Sequence, residues 1–192
     1  MPERFLDALT GRRLGGALFV LAGVIVAGFV LWPDDDGDRL KAPGLQPARI
    51  VSVPQLGLTF AYPSTWSRTV SGQVIRLHAP RRAAVMTFSS PVRGRETDRV
   101  KADTKNALRK RYAPANVVKE GPAKLGSRKV TSFELTGEDE GEPVRALALT
   151  GSSAYRTYVV TLLTPGRPSA KTLAEVRQVL ATVRLVEPKR AA

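Results

Sequence analysis

Cysteine is absent from this 192-residue chain, and histidine occurs once, as His78. The lack of cysteine excludes disulfides, thiolate nucleophiles, iron–sulfur clusters and thiolate zinc sites, and also the lipidated cysteine that tethers many envelope proteins. A single histidine cannot build a His-rich metal site, and a Ser-His-Asp triad would have to use it. The chain also has no G-x-S-x-G, S-x-x-K, P-loop or H-E-x-x-H motif. We therefore expect no catalytic residues, no metal and no cofactor.

Acidic residues are few compared with basic ones. Thirty Lys and Arg against seventeen Asp and Glu give a net charge of +13, and residues 50–187 alone carry 22 basic and 11 acidic residues, or +11. Such a field favours anionic partners. Arg outnumbers Lys by 21 to 9, a bias that GC-rich coding also produces. The sequence leaves open whether the basic surplus serves binding.

One long apolar run is present, from Leu14 to Trp32, without a single charge. As a helix it would span roughly 28 Å, close to the thickness of a bilayer core. Arg12 and Arg13 precede it and an aspartate-rich stretch follows it, which predicts a cytoplasmic N-terminus and an extracytoplasmic main domain. A cleaved signal peptide is the alternative, but its apolar core is shorter and ends in small residues. We expect a single-pass protein of the cell membrane.

This topology divides the chain into five parts. We predict a cytoplasmic tail at 1–13, a transmembrane helix at 14–32, a Pro- and Asp-rich linker at 33–49, one domain at 50–187 and a short basic tail at 188–192. Gly23 and Ala27, and Gly11 and Gly15, have the small-xxx-small spacing of helix dimers, although glycine is frequent in membrane helices anyway.

The domain alternates runs of strands with single helices. Strands are predicted over 50–53, 58–63, 74–78 and 84–89, then a helix over 96–112, three strands within 127–163, and a last helix capped by Ser169. Strands in runs, rather than in strict alternation with helices, predict an α+β fold with a mainly antiparallel sheet.

The segment from Gly57 to Trp66 carries a resemblance to a known superfamily. Phe60, Tyr62, Pro63 and Trp66 form an aromatic-x-aromatic-Pro-x-x-Trp stretch that resembles the strand-turn-Trp opening of PsbP/Mog1-like domains. The order of elements over 50–187 is similar too. The resemblance implies an α/β/α sandwich around an antiparallel sheet and a non-catalytic binding or assembly role, without implying a particular ligand.

Basic residues are dense in three places, which we take as a candidate anion-binding patch if the fold brings them together. They are Arg81, Arg82, Arg93, Arg95, Arg109, Lys110 and Arg111. The last three also suit the dipole at a helix C-terminus.

Two other features have structural explanations that compete with functional ones. His78 ends a strand beside Arg81 and Arg82, which favours a neutral, surface imidazole over a catalytic base. The acidic stretch Glu138–Glu142 is interpreted as a solvated hairpin turn, with a weak calcium contact or a dock for a basic partner as alternatives.

The sequence as a whole predicts a membrane-anchored, extracytoplasmic binding or assembly module without catalysis. Its partner would be another envelope protein, an anionic lipid or an anionic wall polymer. Nucleic acid is not expected, because the predicted topology puts the domain across the membrane from it. The alternatives are a surface hydrolase with an unmarked site and a structural subunit of a membrane complex held by its transmembrane helix.

Overall fold

The computed structural model describes residues 48–94 and 96–185. They form ten strands and two α-helices, with short 3-10 turns at 54–56 and 80–82. The strands are β1 (Ala48–Val53), β2 (Leu58–Pro63), β3 (Ser67–Ser71), β4 (Val74–His78), β5 (Val85–Arg93), β6 (Asn116–Leu125), β7 (Arg128–Asp139), β8 (Glu142–Ser152), β9 (Arg156–Pro165) and β10 (Arg184–Leu185). The helices are α1 (Thr97–Arg111), between β5 and β6, and α2 (Ala170–Thr182), between β9 and β10.

Seven strands make the main sheet, in the order β3-β4-β5-β9-β8-β7-β6. Every pairing in it is antiparallel. The side chains alternate between its two faces, so that along β8 Ala146 and Ala148 belong to one core cluster and Leu147 and Leu149 to the other. The predicted α+β class with an antiparallel sheet is confirmed.

The larger core lies on the face covered by the second sheet and α2. Strands β1, β2 and β10 form that sheet, in the order β1-β2-β10. Phe60 of β2 stacks on Phe88 of β5 with ring centroids 4.4 Å apart, and Val176 and Val179 of α2 join the same cluster. One face of the main sheet is therefore covered by α2 together with a small sheet.

The smaller core lies on the opposite face, beneath α1. Leu108 and Tyr112 at the end of this helix pack on Phe133 and Leu135 of β7 and on alanines of β8. Helix α1 packs mainly on β7, β8 and β9 of this face rather than on β4 and β5. The groove described below lies beside the C-terminal end of this helix, over parts of β4 and β5.

Three strands are not indicated by the sequence, and several strand boundaries differ, among them that of β5, which is predicted over 84–89 and observed over Val85–Arg93. β3, β6 and β10 were not predicted, and β1 begins at Ala48, two residues ahead of the expected domain start at Ile50. All five residues of β3 and the first five of β6 are exposed, so neither segment shows the alternation that marks a half-buried strand. Both are edge strands, held by backbone pairing to a neighbour.

Three local sequence signals correctly predicted a helix cap, a turn and the range of a helix. The predicted cap Ser169 accepts a hydrogen bond from the Thr172 backbone N–H at 3.1 Å, as an N-cap does. Trp66 follows the predicted Pro63 turn and is buried, with its backbone N–H bonded to Pro63 O at 3.0 Å. The helix predicted over 96–112 is confirmed as α1 to within one residue at each end.

Several predicted segments lie outside the described residues. These are the tail at 1–13, the transmembrane helix at 14–32, nearly all of the linker at 33–49, Arg95 and the C-terminal residues 186–192. Neither helix in the described part of the chain combines the length and apolar character needed to cross a membrane.

Glu120 of β6 forms ion pairs with two lysines of α1 at the edge of the sheet. The contribution of these ion pairs to the stability of the domain is expected to depend on pH. The Glu120 carboxylate pairs with Lys101 and, at 2.6 Å, with Lys105, and hydrogen bonds from these two lysines lower its pKa from 4.5 to about 2. A depressed folded-state pKa adds stability above the unfolded value of 4.5 that is lost as pH falls toward 2.

We expect Glu120→Gln to lower the free energy of unfolding at pH 7 by less than about 1 kcal/mol, since the pair is exposed and screened. The difference from the wild type should shrink between pH 4.5 and about 2. Denaturant titrations at several pH values would measure it. A deficit that stayed constant down to pH 2 would contradict the ion-pair explanation.

Candidate anion-binding groove

A groove of about 340 Å³ lies between the C-terminal end of α1 and strands β4 and β5. Its lining combines cationic, hydroxyl and apolar groups with a single carboxylate. The lining residues are Arg76, His78, Arg82, Val85, Thr87, Leu108, Arg111, Tyr112, Asp139, Ala146, Thr161, Leu162 and Leu163. We call this the α1 groove.

Cross-strand pairing builds the floor of the α1 groove. Arg76 of β4 lies opposite Thr87 of β5, which lies opposite Thr161 of β9. The neighbouring row pairs His78 with Val85 and Val85 with Leu163. Because successive residues of a strand point to opposite faces, both rows lie on the face of the sheet on which α1 packs.

The C-terminal end of α1 forms one wall of the groove. It packs closely against β7 because residue 137 of that strand is a glycine. The Glu138 backbone N–H donates to Tyr112 O at 3.1 Å, which ties the helix end to the strand. A Cβ at Gly137 would lie 2.2 Å from that same oxygen. A side chain at position 137 would push the helix end away, and Arg111 and Tyr112 with it.

The β4–β5 connection supplies Arg82. Arg81 and Arg82 both have left-handed backbone conformations, with φ of 55° and 56°, which side-chain-bearing residues rarely adopt. The Arg82 N–H donates to Ala79 O at 3.1 Å, and the Ala79 N–H donates to Ala84 O at 2.9 Å, so the connection folds tightly back on itself. This turn brings Arg82 to the end of the groove beside His78.

Positive charge dominates the groove. Burial lowers the pKa of His78, and the charges of Arg76 and Arg82 lower it further. The imidazole is thus neutral at pH 7, and the cationic groups of the lining are the guanidinium groups of Arg76, Arg82 and Arg111.

The one carboxylate of the lining, Asp139, is buried at 8% exposure. Its Oδ1 lies 2.8 Å from Arg111 Nη2. This contact lacks hydrogen-bond geometry, and Oδ1 has no hydrogen-bond partner among the described residues. Burial raises the pKa of Tyr112, and the nearby Asp139 charge adds to the increase, whereas Arg111 and Arg76 oppose it. Arg76 is thus close enough to influence a group on the opposite wall.

The predicted basic residues are only partly brought together. All five of the described residues Arg81, Arg82, Arg109, Lys110 and Arg111 are exposed, but only Arg82 and Arg111 line the α1 groove. Arg93 lies at the other end of β5, roughly 25 Å along the strand from Val85. Arg95 lies outside the described residues.

Arg76 lines the α1 groove but is not among the predicted site residues. The signal was present, because in the segment Val74–His78 the apolar Ile75 and Leu77 alternate with Arg76 and His78. Alternation of this kind places Arg76 and His78 on one face. The segment alone does not show that α1 packs on other strands of the same face and ends beside Arg76 and His78.

The acidic stretch at 138–142 is a hairpin turn, but it is not wholly solvated as predicted. Strand β7 runs through Asp139, and the turn itself is Glu140 and Gly141. Asp139 points into the α1 groove while Glu138 and Glu140 are exposed, so these carboxylates do not converge. Across residues 48–94 and 96–185, no three His, Asp or Glu side chains are grouped so as to hold a metal ion.

A hydrolytic triad would need a histidine, a carboxylate and a serine within reach of one another. The α1 groove contains His78 and Asp139, and its described lining includes no serine. Asp139 is engaged by Arg111, and its charge is not among the influences on the pKa of His78.

Comparison with solved structures places this architecture among known folds. A crystal structure from Bacteroides thetaiotaomicron is similar with a TM-score of 0.54 and 15% identity, over 74% of this chain and 50% of that one. A point variant of the protein Mog1 is similar with a TM-score of 0.50 and 8% identity, over 76% of this chain and 100% of that one. Cyanobacterial PsbP from Synechocystis sp. PCC 6803 is similar with a TM-score of 0.49 and 12% identity, over 80% of this chain and 99% of that one.

The described domain therefore shares its fold with Mog1 and with the Bacteroides protein. The chain spans half the length of the Bacteroides protein that it matches. No model of a known protein family and no sequence of a characterised protein matches this chain. At such low identity these likenesses concern the fold alone.

Proposed function

We propose that this protein is a non-catalytic binding module, anchored in the cell membrane by the predicted helix at 14–32, that binds an anionic envelope component through the α1 groove. The observation that carries the proposal is the meeting of Arg76, Arg82 and Arg111 from three separate elements in one concave site. Guanidinium groups bind carboxylates and phosphates with charge-assisted hydrogen bonds.

The groove suits ligand binding better than a random cluster of surface charge does. Arg111 already contacts Asp139, and Arg76 and Arg82 also have interactions of their own. A guanidinium has five N–H donors, so each arginine can still donate to a ligand. The apolar wall, which includes Leu108 and Leu163, reduces the water around these charges and strengthens their interaction with an anion. The domain's surplus of basic residues would also attract such a ligand from a distance.

The experiment uses the full-length protein reconstituted in uncharged phosphatidylcholine vesicles. Binding of a soluble poly(glycerol phosphate) chain, labelled with a fluorophore, is measured at several salt concentrations. We expect affinity to fall as salt rises, since exposed charges are screened beyond ~8 Å at physiological ionic strength. Adding phosphatidylglycerol to the same vesicles tests the other source of anion, because a bound headgroup would compete with the polymer.

Two triple variants with the same loss of charge separate a site from a general field. Arg76→Gln, Arg82→Gln and Arg111→Gln together should weaken binding about tenfold or more, since each lost bond involves two charged groups. The control changes the exposed Arg109, Lys110 and Arg167 to Gln and should weaken binding far less. Equal losses would mean that net charge governs association, and the basic surplus would then reflect coding bias.

A further inference from the structure

Asp139 gives the α1 groove a second kind of binding group. Its Oδ1 is buried and lacks a hydrogen-bond donor among the described residues, although it lies 2.8 Å from Arg111 Nη2. Arg111 balances the charge of this oxygen. A buried carboxylate oxygen is usually also hydrogen-bonded by a protein group, water or a ligand. A ligand hydroxyl reaching Asp139 would supply the missing donor.

The floor of the groove favours the same kind of ligand. Thr87 and Thr161 are cross-strand neighbours with 6% and 7% exposure, and their hydroxyls can both donate and accept. The groove thus combines guanidinium donors for an anion, a carboxylate acceptor for a hydroxyl, and hydroxyl groups between them. An apolar anion could bind the arginines but would offer no hydroxyl to Asp139 Oδ1.

Size limits what the groove can hold. Its volume of about 340 Å³ is near the lower end of the usual range for small-molecule sites. That is space for one sugar- or polyol-sized unit with its acidic group. A longer polymer would place a single unit or an end group in the groove and leave the rest outside.

We propose that the α1 groove recognises a single hydroxyl-bearing anionic unit, whose acidic group binds Arg76, Arg82 and Arg111 and whose hydroxyl donates to Asp139 Oδ1. This inference rests on the proposed function and specifies its ligand class. Two sources share the chemistry, a polyol phosphate and a uronic acid. Their acidic groups differ, so a pair of small probes distinguishes them.

The test is calorimetric titration of the full-length protein with four probes. Glycerol 3-phosphate and glucuronate carry both an anionic group and hydroxyls, inorganic phosphate carries the charge without a carbon-bound hydroxyl, and glucose carries hydroxyls without charge. We expect one of the first two to bind about tenfold or more tighter than phosphate and glucose, as a hydrogen bond to a charged acceptor permits. The tighter of the two identifies the source.

Asp139→Asn and Glu140→Gln provide a matched pair of variants. Each removes one negative charge at the β7–β8 hairpin, but Asp139 is buried in the groove and Glu140 is exposed. Asp139→Asn should weaken the hydroxyl-bearing probe about tenfold, while phosphate binding stays equal or tightens because Arg111 loses its internal partner. Glu140→Gln should leave the preference for the hydroxyl-bearing probe unchanged.

Either of two results would contradict the proposal that the ligand is a hydroxyl-bearing anionic unit. One is equal wild-type affinity for phosphate and for both hydroxyl-bearing probes, which needs no variant and so does not depend on how Asp139→Asn folds. The other is an equal effect of Asp139→Asn on all anionic probes. Either result would leave the proposed function standing, provided that the Arg76, Arg82 and Arg111 variant still loses polymer binding and its control does not.

Discussion

Replacing Trp66 by alanine will lower the free energy of unfolding by about 3–5 kcal/mol, the range for truncating a large buried aromatic side chain. The Trp66 ring is 1% exposed and belongs to the larger core, between the two sheets and α2. Its indole Nε1–H also donates to Glu175 Oε2 of α2 at 2.9 Å. Removing the ring therefore leaves a cavity and also releases a link between the β2–β3 turn and α2. Denaturant unfolding of the full-length protein would measure the loss.

Two further substitutions separate the parts of this effect. Trp66→Phe keeps most of the apolar volume and removes the donor to Glu175, so we expect a smaller loss of about 1–3 kcal/mol. Tyr155→Ala is the aromatic control, because Tyr155 is 40% exposed and its loss should change stability little. If Trp66→Ala and Tyr155→Ala had similar effects, Trp66 would not be the core residue described above.

Gly126→Ala is expected to destabilise the domain by about 2–5 kcal/mol, through a left-handed backbone and a steric clash together. Gly126 forms the β6–β7 turn with φ of +58°, and a Cβ there would lie 1.9 Å from Val183 O, at the end of α2. The Gly126 N–H donates to Leu180 O at 2.9 Å, so the turn and the helix end cannot separate without losing that bond.

Gly141→Ala is the control for the backbone contribution alone. Gly141 also has a positive φ, +86°, but no atom lies within 4 Å of the position of its Cβ. We expect a loss of about 1–2 kcal/mol from conformation without a clash. Equal losses at the two positions, measured by thermal unfolding, would mean that the end of α2 moves aside readily.

The shape of the α1 groove, like the packing of the core, depends on contacts between residues that are far apart in the chain. Helix α1 is tied to one edge of the sheet by Glu120 and at its C-terminus by the bond between Tyr112 O and the Glu138 N–H. Between these attachments it packs mainly on β7, β8 and β9 rather than on β4 and β5. Ligand affinity should therefore respond to changes that shift the helix, such as a side chain at Gly137, as well as to changes in the groove.

Elements with a one-sided burial pattern were predictable from the sequence. β2 alternates buried Leu58, Phe60 and Tyr62 with half-buried residues, and the period of two is visible in the letters alone. α2 has its cap and its apolar stripe within one segment. β3 and β6 could not be found in this way, since an edge strand with mostly exposed side chains is defined by the neighbour it pairs with.

The candidate site also combines residues that local sequence signals predicted with a residue that they did not. Arg82 and Arg111 were on the predicted list of basic residues because charge density is a property of the sequence. Arg109 and Lys110 were on it for the same reason, yet they lie on the exposed side of the helix end. Arg76 was absent from it because an isolated arginine in a strand gives no signal of density.

The sequence by itself determined the class of the domain, the positions of its strongly patterned strands and helices, and the basic character of its surface, since each depends on composition or on local periodicity. Only the tertiary structure decided that Arg76, Arg82 and Arg111 line one groove with Asp139. The physical reason is that these four side chains are positioned by the register of β4 against β5 and by where α1 ends on the sheet. Both depend on contacts between residues far apart in the chain, which no local pattern encodes.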